Sequence, residues 1–341
     1  MKGSSLSLIG AVGSPYSRKL RAVLRYRRIP HVWVHDGSPE AAALPRHALG
    51  LLPRLIVTNE TGEQEAKVDS TPLIRELETA FAGRCVIPPD PALAFLDALI
   101  EDFADEWLTK AMFHYRWAHR ADIDKASTIL PRWFNPCASD EALKEASDAF
   151  SNRQIERLWV VGSNDVTARL IEDSYRRLLT ILDARIVESR FVLGARPSAC
   201  DFAIYGQLTQ LAGFDPTPSA VALAEAPRVS AWTDLVDDLS GVACSDGEWI
   251  DVSSTPDTVT ALFAEIGRVY VPFLLANANA VAAGKKSLSC QIDGLTWKQT
   301  PVRYQAKCLL VLRAGYEGLE PDARETVDRV LGGSGCEPLF A

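Results

Sequence analysis

The sequence predicts a small α/β domain, an all-helical domain after it, and a C-terminal extension of helices and one β-hairpin. Three observations predict this. Strand and helix signals alternate over roughly the first eighty residues, only helical periodicity follows from about Ala92 to Leu239, and a hairpin signal comes after that. The expected parts are residues 5–83, 92–240 and 241–341, with the extension packed on the helical domain. The proline-dense AGRCVIPPDP (Ala82 to Pro91) links the first two.

Taken in order, Leu6 to Ala11 reads as a strand and Ser14 to Arg28 as a helix. HVWVH (His31 to His35) is a second strand, and a short helical stretch follows near Pro39 to Ala48. RLIVT (Arg54 to Thr58) and Glu65 to Val68 are strands about a turn at Asn59 to Gly62, and Ser70 to Ala80 is a helix with Ser70 as its N-cap. In the second domain Leu96, Leu99, Ile100, Phe103, Trp107 and Leu108 recur at helical spacing. The extension opens with an apolar helix from Pro256 to Ala283, kinked at Pro272 and stopped at Gly284. In SLSCQIDGLTWKQ, Asp293-Gly294 suits a two-residue type I′ turn. That turn faces Ile292 with Leu295 and Cys290 with Trp297 on one side, a side that must pack on something. Two helices close the chain, the second with Asp322 and Glu325 spaced for a capping box.

Composition excludes several classes. The 341 residues are 47% apolar and 23% charged, with a net charge of −8, so no global charge favours nucleic acid or an anionic membrane. The basic run from Arg18 to Arg28 reads as a solvated helix face. No apolar stretch reaches the length of a membrane span, since VYVPFLLANANAVAAG is broken by Pro and two Asn, and no signal-peptide core opens the chain. The seven cysteines, Cys85, Cys137, Cys200, Cys244, Cys290, Cys308 and Cys336, form no CxxC pair. The expectation is a cytoplasmic protein with reduced thiols, no metal, and neither nucleic acid nor membrane as partner.

Three features of the first domain carry chemistry. The turn Ser14-Pro15-Tyr16-Ser17 opens a helix, whose free N–H groups and positive dipole end favour an anion. In HALGLLPRLIV, Pro53 heads a strand and leaves the backbone of Leu52 free for a peptide-like ligand. In VDSTPLIRELE, Asp69-Ser70 opens another helix, an anion seat beside an acid able to take an ammonium group.

Together these resemble the N-terminal domain of cytosolic glutathione transferases, a thioredoxin-like fold, in its serine-type, bacterial-like form. RPSACDFAIYGQL, with Ser198 and Asp201 three apart, is similar to the capping box in that family's helical domain, and APRVSAWTDLV to its late helix. The resemblance covers about residues 5 to 240 and leaves the extension outside. It implies glutathione as co-substrate, a homodimer and a detoxifying transferase. It gives Ser14 the hydroxyl that holds the glutathione sulfur, with Tyr16 as runner-up. Leu52, ahead of Pro53, would pair with the cysteinyl backbone, and Asp69 and Ser70 would hold the γ-glutamyl end. The capping pair Ser198 and Asp201 is structural.

The second substrate, a small hydrophobic electrophile, is expected against the aromatic stretch EDFADEWLTKAMFHYRWAHRAD, at Trp107, His114, Tyr115 and Arg116. His119 reads as surface. Lowering a thiol pKa from about 8.5 to about 6.5 takes roughly 2.7 kcal/mol. One hydrogen bond to the thiolate supplies about 1.5–3 kcal/mol, and a helix end ~0.3–2. A serine and a helix terminus therefore suffice. The competing readings are a non-catalytic ligand-binding or assembly protein on the same fold, and a thiol–disulfide oxidoreductase, which would need a cysteine at position 14 or 17.

Overall fold

Residues 5–243 and 249–341 are described by the computed structural model; Cys244 lies outside them. The chain begins β1 (Ser5–Gly10), α1 (Pro15–Tyr26), β2 (Val32–His35), α2 (Pro39–Ala42), β3 (Arg54–Thr58), β4 (Gln64–Val68) and α3 (Ser70–Ala80). The strands form one sheet in the order β2-β1-β3-β4; β1 and β2 run parallel across α1, and the other pairs are antiparallel. Period-two alternation sets the faces. Leu6, Leu8, Leu55 and Val57 pack with Leu20, Val23 and Leu24 of α1 and Leu73 and Leu77 of α3, whereas Ile9, Val34 and Ile56 pack with Ala41 of α2. This is the thioredoxin-like domain that the resemblance implied. The helical stretch near Pro39 is one turn and ends at Ala42, well before Ala48.

Eight helices follow: α4 (Pro91–Glu106), α5 (Leu108–Ala118), α6 (Arg120–Phe134), α7 (Asp140–Ile155), α8 (Ala168–Glu188), α9 (Ala199–Leu211), α10 (Pro216–Glu225) and α11 (Pro227–Val236). The buried α9 lies against both α4 and α1. Gly206 makes the approach to α1 possible, because a Cβ there would stand 2.6 Å from the Pro15 carbonyl oxygen. At the start of α9 the Ser198 N–H donates to Asp201 Oδ2 at 2.9 Å, closing a capping box.

The basic residues of α1 are not a solvated face. Lys19 is fully buried and pairs with Glu101 and Asp105 of α4, at 2.6 and 2.5 Å. Arg18, Arg21 and Arg25 converge on Asp237, at 2.8, 3.3 and 2.7 Å. The run clamps the first domain to the helices, since its partners lie far along the sequence and close in space.

The extension holds α12 (Asp257–Glu265), a π-turn (Ile266–Tyr270), α13 (Val271–Ala282), the hairpin β5 (Leu288–Ile292) and β6 (Leu295–Gln299), α14 (Arg303–Glu317) and α15 (Pro321–Leu331). The π-turn ends two residues before Pro272, and with α12 and α13 it makes one unbroken helical segment from Asp257 to Ala282. By length and composition alone that helix is long enough to cross a membrane, contrary to the expectation from the sequence, and more than half of its most apolar stretch is buried inside the protein. The hairpin pairs Ile292 with Leu295 and Cys290 with Trp297. Trp297 is fully buried against Trp107 and Phe273, with ring centroids 5.3 and 6.1 Å away. The expected Asp322–Glu325 capping box does not form: the N-cap of α15 is Glu320, two residues earlier, which puts Asp322 inside its first turn.

Candidate functional site

Two cavities flank the start of α1. Ser14 is its N-cap, and the Ser14 hydroxyl accepts from the Ser17 N–H at 3.3 Å. Among the described residues nothing accepts the Ser14 proton. Ser14 lines the first cavity, of about 180 Å³, with His35, Phe113, Arg116, Trp117 and Trp133. Ser17, in the position of a second thiol, is buried and accepts from the Ala11 N–H at 3.3 Å.

The second cavity, of about 390 Å³, is lined by Tyr16, Leu52, Asp69, Ser70, Glu106 and Tyr304, among others. The Leu52–Pro53 bond is cis, and neither the N–H nor the carbonyl of Leu52 has a partner among the described residues. Asp69, not Ser70, is the N-cap of α3, with φ of +79° and no capping hydrogen bond from its side chain. That side chain instead accepts from the Tyr304 hydroxyl at 2.8 Å. Ser70 is the buried first residue of α3, so the positive end of this helix borders the cavity.

Carboxyl groups dominate the far wall. Asp105 is paired with Lys19. Glu106 is buried beside Asp102 and Asp105, and burial first, then those neighbours, push its pKa up to about 8. Tyr16 donates its hydroxyl proton to the Asp105 carbonyl at 2.9 Å. Burial, with Glu106 and Asp105 adding to it, pushes the phenol well above its ordinary value. Its only proton is engaged and hard to remove, whereas the Ser14 proton has no acceptor among the described residues.

The expected electrophile wall is only partly brought together. Arg116 lines the cavity with Ser14, but its guanidinium forks onto buried Asp215, 2.9 Å from each oxygen, and donates to Gln210 at 2.8 Å. Trp107, His114 and Tyr115 line neither cavity. The Trp107 indole N–H donates to Ser174 Oγ at 3.0 Å in the core. His114 and Tyr115 lie on the α5 face nearer α8, where Tyr115 packs edge-on against Tyr175. The physical reason is the break between α4 and α5 at Trp107, which resets the helical phase. Phe113 and Trp117, four apart on α5, face Ser14 instead. Sequence reasoning missed His35 and Trp133 in this cavity. It also missed Tyr304, whose place in the other depends on a fold-back of more than two hundred residues.

In this thioredoxin-like domain the capped start of α1 lies between a cavity lined in part by carboxyl groups and an aromatic one. Residues 8–85 match the family model described as glutathione S-transferase, N-terminal domain. Over those residues the chain carries a domain of the glutathione S-transferase N-terminal type. It is similar to the β-etherase LigF of Sphingobium sp. strain SYK-6 (16% identity, 68% of this chain and 95% of that one, TM-score 0.46). It is also similar to a glutathione transferase of Burkholderia graminis solved with two glutathione molecules per subunit (17%, 76% and 87%, 0.42). A third is a glutathione S-transferase of Methylobacterium radiotolerans in complex with glutathione sulfonate (19%, 68% and 90%, 0.40). No curated protein matches the sequence.

Proposed function

We propose that the chain is a glutathione transferase in which glutathione occupies the carboxyl-lined cavity and a small hydrophobic electrophile the aromatic one. The carrying observation is that Leu52, Asp69 and Ser70 line one cavity beside the capped start of α1. Leu52 offers an unused N–H and carbonyl to the cysteinyl unit, Asp69 a carboxylate to the γ-glutamyl ammonium, and Ser70 the helix end to its carboxylate. The thiol then lies near Ser14, whose free hydroxyl proton and helix dipole stabilise the thiolate. That thiolate attacks the electrophile held by Phe113, Trp117 and Trp133. The same reading makes the protein a cytoplasmic homodimer and divides it at residues 5–83, 92–240 and 241–341.

One observation favours the non-catalytic alternative: Asp69 already has a hydrogen-bond partner in Tyr304. Titration with glutathione, following thiolate ultraviolet absorbance against pH, separates the two. The enzyme reading expects binding with a thiol pKa about two units below the free value of about 8.5, lost in Ser14→Ala, and weakened binding in Ser70→Ala. Binding without a lowered pKa supports the non-catalytic reading, and no binding by the native chain refutes the enzyme reading.

A further inference from the structure

His114, His119 and Glu172 form a cluster on the side of α5 away from the Ser14 cavity. His114 Nε2 lies 3.2 Å and His119 Nε2 3.0 Å from the same oxygen, Glu172 Oε1, and all three ligand atoms fall within 4.8 Å of one another. Five residues apart on one continuous helix, the two imidazoles would diverge by about 140°. The chain leaves α5 at His119 in an extended conformation before α6 begins, and this turn brings both rings to the carboxylate of α8.

We propose that this cluster binds one divalent transition-metal ion of the zinc type, a site separate from the glutathione chemistry. The donor set is two imidazole nitrogens and one carboxylate oxygen, which suits zinc, cobalt or nickel better than calcium or magnesium. Ligands held at about 2.0–2.1 Å in a tetrahedron stand about 3.3 Å apart, close to the two observed spacings. The rings are also held from behind. His114 Nδ1 is 2.7 Å from Ser163 Oγ, and the His119 ring stacks on Tyr115 at 5.3 Å. A hydroxyl both donates and accepts, so Ser163 serves either tautomer of His114. Without metal, Nε2–H donates to Glu172 and Nδ1 accepts from Ser163. With metal, the ring proton sits on Nδ1 and donates to Ser163, which frees the Nε2 lone pair with no net proton change.

Two further features fit an ion with an open position. His119 and Glu172 are each about a third exposed, at 32% and 31%, which gives an entry path. The Tyr115 hydroxyl is buried and has no hydrogen-bond partner among the described residues, and the Glu172 charge acts on it. A water in the fourth position of the metal would be that partner.

The test is titration of the chelator-stripped full-length protein with Co²⁺, followed by visible d–d absorption, for the native chain, His119→Ala and Glu172→Gln. Circular dichroism would establish that both variants fold. The proposal expects one equivalent of Co²⁺ with a tetrahedral or five-coordinate spectrum in the native chain, and at least tenfold weaker binding in both variants. Three results overturn it: no band at stoichiometric Co²⁺, titrations unchanged in both folded variants, or thiolate-to-cobalt charge transfer assigning the ion to cysteine. In the first case the cluster is a hydrogen-bonded staple of two imidazoles on one carboxylate.

Discussion

The Tyr304 hydroxyl donates to Asp69 Oδ2 at 2.8 Å, joining the first turn of α14 to the start of α3. That turn of α14 is fixed in turn by Asn277 of α13. The Asn277 side chain donates to the Val302 carbonyl at 2.9 Å and accepts the Val302 N–H at 2.7 Å. The extension thus supplies part of the wall of the proposed glutathione cavity, and it holds a carboxylate that has no capping bond of its own.

Tyr304→Phe is accordingly expected to leave the fold intact and weaken glutathione binding about threefold to tenfold. Those factors correspond to about 0.6–1.4 kcal/mol, within the ~0.5–1.5 kcal/mol net range of a typical hydrogen bond. Asn277→Ala should act in the same direction by loosening Val302. Calorimetric titration of each variant with glutathione checks this. Affinities equal to the native value would mean that the backbone at Asp69 aims the carboxylate unaided.

Ser14 and Tyr16 are expected to separate cleanly. Ser14→Ala should raise the pKa of bound glutathione by about 1–2 units, from the loss of ~1.5–3 kcal/mol at the thiolate, with little loss of stability beyond the cap. Tyr16→Phe should leave that pKa in place and cost about 1 kcal/mol of stability, because its hydroxyl serves the Asp105 carbonyl. Thiolate absorbance against pH and urea unfolding measure the two effects. The opposite pattern would make Tyr16 the activating group.

The sheet, the helix at Ser70–Ala80 and the register of the hairpin were legible because each depends on neighbours within a few residues: alternation, capping and an Asp-Gly turn. Lys19 was not legible as a buried residue. Its partners Glu101 and Asp105 lie 82 and 86 positions away, and a lysine between arginines looks solvated until they are in place. The same limit hid Tyr304 and Glu172. In the site, Leu52, Asp69 and Ser70 could be grouped because each marks the start of a strand or helix facing the same end of the sheet. The aromatic wall could not, since a break at Trp107 changes which residues of Leu108–Ala118 face inward.

Trp297 and Gly162 fit each other. Gly162 has φ of +77°, and a Cβ there would stand 2.3 Å from the Trp297 ring. Trp297→Ala should destabilise the protein by about 3–5 kcal/mol, the usual range for emptying a buried aromatic site. Gly162→Ala should also be strongly destabilising, because it combines a disfavoured backbone with a ring that cannot retreat from Trp107 and Phe273. Urea midpoints measure both. A Gly162→Ala midpoint equal to the native one would mean that the hairpin can shift on the helices.

Stability should fall as pH rises from about 5 to 7. Burial, above all, pushes Asp102 up to about 7 and Glu106 up to about 8, from ordinary values of 3.8 and 4.5. Between those limits the native state holds protons that the unfolded chain has released. The slope ∂ΔG/∂pH, proportional to protons bound in the unfolded state minus the native, is then negative, at about 1.4 kcal/mol per pH unit for each full proton. Lys110 acts in the opposite sense. Buried, with its Nζ 3.9 Å from the Phe273 ring centroid, it is pushed down from 10.5 to about 7. Above pH 7 the unfolded chain therefore holds the extra proton, and stability regains from Lys110 what it is still losing through Glu106. The expected profile declines from pH 5 to 7 and flattens above that. Glu106→Gln removes one descending contribution, so its advantage over the native chain should be small at pH 5 and grow to pH 8. Thermal melts of both proteins at pH 5, 6, 7 and 8 would show it. Parallel profiles would mean that Glu106 is ionised in the folded protein, with its charge met by a group other than Lys110.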